Sequence, residues 1–283
     1  MESFLMQVVK YLLLSLKTTG FQLLTLFGPL IVLGGVINYF SRKNQNLGMY
    51  VFGEKLYVYG FAWLGTAVHE LGHAIFAILF GHKITKIKLF SPDSNGTLGY
   101  IEHTFNPKNY YHRIGNFFIG IGPIVFGSIV MYFFSYVILG SKIDSLLNIG
   151  FDINTLQDAS TAKDALIEFF VSIGGGLKPI FSILISYGWY SVIIIYVLYS
   201  IASSISLSKP DIEGSRDGFI FFIGLLLVVN LATMWITGFV TSIILFISEI
   251  ISEIYIMLIL GILLNIIFLI LLRLLYIIKS ILF

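Results

Sequence analysis

Apolar and polar positions divide this chain into long greasy runs separated by shorter polar connections. Six runs reach the roughly 20 residues that a helix needs to cross a bilayer. They are residues 21–40, 58–81, 114–139, 180–206, 218–247 and 254–279. The pattern predicts an all-α polytopic membrane protein with about six transmembrane helices. Ahead of them, "MESFLMQVVKYLLLSLKTTG" is apolar but broken by Lys10 and Lys17, a spacing that suits a helix lying at the headgroups. No small-residue cleavage site follows it, so a removable signal peptide is not expected.

Two connections are more than turns. Residues 83–105 set two β-prone runs around Ser-Pro-Asp-Ser-Asn-Gly, which reads as a small β-hairpin directly after the second span. Residues 141–178 begin polar and then place Leu166, Phe169, Phe170 and Ile173 on one helical face, as in a helix lying on the membrane surface. Gly174, Gly175 and Gly176 read as a flexible joint before the fourth span. With no internal repeat and no soluble insert, residues 1–283 read as one transmembrane domain. Its core is about 58–247, preceded by N-terminal helices in 1–40 and followed by the span at 254–279.

Composition agrees with lipid as the solvent. The chain is 57% hydrophobic and 11% charged, with a mean hydropathy of +0.94, too little charge to cover a soluble domain of this length. A net charge of +2 with no long basic run gives no reason to expect a nucleic-acid partner. The absence of cysteine excludes disulfides and thiolate metal sites. With the N-terminus in the cytoplasm, the inner segments hold 11 of the 17 Lys and Arg residues. That asymmetry predicts an integral multi-pass protein of the cell membrane, with both termini and the loop at 82–113 on the cytoplasmic side.

Within the second span, "TAVHELGHAIFAILFG" contains His69, Glu70 and His73. Each is expensive to bury in lipid without a purpose. His69 and His73 are four positions apart and share one helical face. Two imidazoles so placed can bind one zinc ion, while Glu70 beside them can serve as general base. A catalytic zinc takes three protein ligands, so one more is needed. The remaining histidines, His82, His103 and His112, lie around the hairpin and are expected to be solvated. "SLSKPDIEGSRDGF", residues 206–219, offers Asp211 and Asp217. A proline and a carboxylate at a helix start also have an ordinary capping role. The second span, read from outside to inside, places His73 about 12 Å before its inner end at Gly81. The connection that carries Asp211 lies on the same side.

These elements together resemble the site-2 protease family of intramembrane zinc metalloproteases. "HELGH" matches its His-Glu-x-x-His, and "GIGPIVFGS" (Gly120 to Ser128) resembles its Gly-Pro element in the following span. "LSKPDIEG" resembles a variant of its distant aspartate motif, which favours Asp211, although Asp217 is the one followed directly by glycine. The resemblance covers most of residues 58–247. It implies Zn2+ bound by His69, His73 and Asp211, catalysis by Glu70, and hydrolysis of peptide bonds in membrane protein or peptide substrates within the bilayer. The alternative is a non-enzymatic metal-binding membrane protein, such as an ion transporter or scaffold. Such a transporter would call for further ionisable residues along the spans. Outside the His69–His73 cluster, the six spans carry almost none before Arg273 and Lys279.

Overall fold

The computed structural model describes residues 4–140, 185–236 and 238–282. Helix α1 runs from Phe4 to Phe52. After a break at Gly53, α2 spans Glu54–Leu79 and contains a π-helical turn at Val58–Ala62. Strands β1 (Lys83–Lys88) and β2 (Tyr100–Thr104) follow, then α3 (Tyr110–Leu139), α4 (Tyr190–Ala202), α5 (Lys209–Thr233) and α6 (Phe239–Leu282). Five of these helices are long and apolar enough to cross a membrane, and apolar segments at 190–202 and 239–248 are shorter. Large apolar side chains such as Leu24, Val32, Phe133, Val192 and Phe246 point outward, as lipid permits.

Several boundaries depart from the expected ones. Residues 4–52 form one continuous helix rather than an interfacial segment followed by a span. At 1.5 Å per residue, α1 is about 73 Å long, more than twice a hydrocarbon core of about 30 Å. The run expected at 218–247 ends at Thr233, and residues 239–248 belong to α6 instead. Helices α1 and α6 run parallel, since Gln22 donates to Thr241 while Lys279 donates to the carbonyls of Tyr50 and Val51. Phe4 and Leu282 therefore sit at opposite ends of this pair. Of the expected fourth span, only 185–206 is described. The predicted surface helix and the Gly174–Gly176 joint lie outside the described residues.

The core that holds the site is built from α2, α3, α4 and α5. Phe27 of α1, Phe117 of α3 and Phe219 and Phe222 of α5 interlock, with ring centroids 4.8–6.1 Å apart. Buried amides fasten the long helices: Asn230 donates to Gln22 and Thr19, and Asn44 donates to Asn265. Such pairs hold membrane helices together because lipid offers polar groups no alternative partner.

Where α2 crosses α3, two glycines bring the backbones together. A Cβ at Gly72 would stand 2.8 Å from Pro123 Cα, and one at Gly122 would stand 2.8 Å from Gly72 O. The hairpin is antiparallel, pairing Ile84 with His103 and Lys88 with Tyr100, with an irregularity between Ile84 and Lys86. Its turn is held by Asp93, whose carboxylate accepts from the backbone N–H of Asn95 and of Thr97, each at 2.9 Å.

Gly72→Ala should force α2 away from α3 and destabilise the fold by about 1–3 kcal/mol. Gly224→Ala, at a position open to space, should cost nothing. Thermal unfolding in detergent compares them; equal midpoints would show that the close approach is unimportant.

Candidate metal centre

His69 and His73 project from the same face of α2, one turn apart, and each ring is anchored through Nδ1. His69 Nδ1 lies 2.7 Å from Ser204 O, and His73 Nδ1 lies 2.8 Å from Ile119 O. A carbonyl oxygen only accepts, so both Nδ1 atoms carry hydrogen and both neutral rings present a bare Nε2 lone pair. The two Nε2 atoms stand 3.2 Å apart. No hydrogen bond joins two lone pairs, so the arrangement calls for a cation or a proton between them. Two nitrogens bound tetrahedrally at about 2.0–2.1 Å would stand roughly 3.3 Å apart.

The anchor on His73 has its cause in the sequence. Ile119 lies four residues before Pro123 within α3. Proline has no N–H, so the carbonyl of Ile119 lacks its ordinary helical partner. His73 supplies the missing donor. The Gly-Pro element thus provides both the close approach, through Gly122, and the acceptor that turns His73. Ser204, in the turn after α4, plays the same part for His69. Residue order marks neither carbonyl directly, although a proline inside an apolar span is the available signal.

Asp211 completes the group. Its Oδ1 is 3.1 Å from His73 Nε2 and its Oδ2 is 3.6 Å from His69 Nε2. The ordinary capping role holds as well: Ser208 N–H donates to Asp211 Oδ2 at 2.8 Å, and Asp211 N–H donates to Ser208 Oγ. With Pro210 in the first turn, this capping box fixes where α5 starts and aims the carboxylate at the histidines. His69, His73 and Asp211 place one donor atom each within 4.8 Å of one another. Two imidazoles and a carboxylate, with second nitrogens bonded to backbone carbonyls, form a donor set suited to zinc.

Glu70 is buried, 8% exposed, and accepts no hydrogen bond from the described residues. It lines a cavity of about 860 Å³ together with His69, His73 and Asp211. It also lines a smaller polar cleft of about 250 Å³ that Ser203, Ser204 and Arg42 border. The hairpin covers it closely, since a Cβ at Gly99 would stand 2.9 Å from Glu70 Cγ. Asp217 borders the large cavity but turns to Arg113, whose Nη2 is 3.1 Å away. Six positions of helix leave it about 120° around from Asp211. The three remaining histidines form a second cluster at the base of the hairpin. Contrary to expectation, His82 is only 5% exposed there.

With this geometry in hand, comparison with protein families gives a match to the model described as Peptidase M50B-like, over residues 46–144. Over that segment the chain is similar to the site-2 protease family. That segment is about a third of the chain; it includes His69, Glu70, His73, the hairpin and the Gly-Pro element, and stops short of Asp211. The match supports a metallopeptidase at the level of the family. No curated protein matches the chain, and no solved structure does.

The two aspartates separate by experiment. Asp211→Ala should lower bound zinc well below one ion per chain, whereas Asp217→Ala should keep about one. Metal analysis of both purified variants decides; an empty site in Asp217→Ala would exchange their roles.

Proposed function

We propose that this protein is an intramembrane zinc endopeptidase that hydrolyses peptide bonds of membrane-embedded protein or peptide substrates. The observation that carries this reading is the convergence of two bare imidazole nitrogens and a helix-capping carboxylate; beside them, the buried carboxylate of Glu70 has no hydrogen-bond partner among the described residues. Held by His69, His73 and Asp211, zinc would supply Lewis-acid polarisation and make water acidic enough to attack near neutral pH.

The chain's own residues do the rest. Glu70 takes a proton from the attacking water as its oxygen bonds to the scissile carbonyl carbon. As the C–N bond breaks, Glu70 returns that proton to the leaving amine. Burial of Glu70 beneath the hairpin limits competing water. Ser204 and Ile119 keep the imidazoles in the tautomer that offers Nε2 inward. A transmembrane helix hides its amides in its own hydrogen bonds, so the substrate must unwind locally before attack. The exposed hairpin could hold such an extended stretch by strand addition along its edge. The five basic residues in 82–113 support a cytoplasmic position for this loop. The whole chain acts as one membrane-embedded unit. A transporter is the weaker reading: among the described residues, His69, His73 and Asp211 are the one group of three carboxylate or imidazole donors close enough together to share a metal ion.

Glu70→Gln tests the reading. The amide cannot take a proton, so hydrolysis should slow by about 10²–10⁴-fold while bound zinc stays near one ion per chain. Labelled single-span peptides in detergent micelles, with products read by mass spectrometry, report the cut. Cleavage by Glu70→Gln at the wild-type rate would remove Glu70 from the chemistry.

A further inference from the structure

One member of the second histidine cluster, His103, faces the same cavity as the metal group. His82 Nε2 lies 2.8 Å from His112 O, so it must donate. Its Nδ1 is then an acceptor, and it lies 2.9 Å from His103 Nδ1. His103 therefore carries its hydrogen on Nδ1, and its Nε2 is a bare acceptor. His103 sits on β2 and lines the 860 Å³ cavity with His69, Glu70 and His73. Its Nε2 has no hydrogen-bond partner among the described residues. The relay is held in place by packing: His82 stacks on Phe105 at 4.9 Å between ring centroids.

An unwound membrane helix brings amide N–H groups that have lost their partners, and each is costly in a site shielded from water. A fixed acceptor on the cavity wall answers that cost. We propose that His103 contacts substrate, its Nε2 accepting a hydrogen bond from one backbone N–H of the unwound segment, and that His82 is a positioning residue that fixes His103 in the accepting tautomer. This rests on the endopeptidase reading and adds a substrate contact to it. Burial lowers the pKa of both rings, and His82 beside it lowers that of His103 further, which favours the neutral form the contact requires.

The contact is testable by binding alone, in a Glu70→Gln background that does not cut. The probe is a labelled single-span peptide with a central Asn-Gly pair, in detergent micelles. Partner peptides each replace one backbone amide near that pair by an ester, which removes a single N–H. With His103 present, one ester position should weaken binding about tenfold. His103→Phe keeps a ring but no acceptor, and should bind that ester and the amide equally. His103→Gln, which restores an acceptor near the position of Nε2, should recover most of the difference. His82→Phe should reduce it. Full ester discrimination in His103→Phe, with zinc retained, would overturn the contact and leave the endopeptidase reading intact. Failure of any single-span peptide to bind the His103 protein would count against the endopeptidase reading itself.

Discussion

The structure depends on two hydrogen bonds that leave α2 and end on backbone carbonyls. His69 to Ser204 and His73 to Ile119 decide which nitrogen of each imidazole is bare, and so decide that two lone pairs meet at one point. In lipid this is unfavourable for either ring alone, since a polar nitrogen without a partner costs several kcal/mol. It becomes favourable once a cation and the Asp211 carboxylate share the site. The same bonds tie α2 to α3 and to the turn after α4, so the geometry of the metal group and the packing of the core are one problem.

Pro123 shows how closely the two are joined. Its missing N–H leaves Ile119 O free inside a membrane helix, where an orphan carbonyl is normally a fault. One turn away in space, Gly72 and Gly122 let the backbones approach so that His73 can reach it. Asp211 follows the same economy: one carboxylate caps α5 through Ser208 and also meets the Nε2 atoms of the two histidines. The π-helical turn at Val58–Ala62, two turns before His69, lies in the same helix as His69 and His73, as such local widening often does near functional sites.

Much of this is legible in residue order. His69, Glu70 and His73 stand out because three ionisable groups in one apolar run are too costly to keep in lipid unless they share a ligand. Their i, i+4 spacing carries over directly into geometry. The hairpin is equally plain from its turn residues. Less legible is anything set by long-range pairing. Gln22, Asn230, Asn44 and Asn265 look like scattered polar residues until the helices pack. The limits of α1 and α6 do not show in the pattern, because an apolar run continues through a helix whether or not it leaves the membrane. His82 reads as solvated because single-residue polarity carries no information about the Phe105 ring that covers it. Between Asp211 and Asp217, sequence context leans towards the aspartate that meets the histidines, but only the partner of each, the histidines or Arg113, separates them.

The most direct measurement is zinc-edge X-ray absorption of the purified protein with one equivalent of metal. A centre made by His69, His73 and Asp211 predicts light N and O ligands at about 2.0–2.1 Å, with outer-shell scattering from two imidazoles. Scattering from one imidazole or none, or from three or more, would contradict that centre.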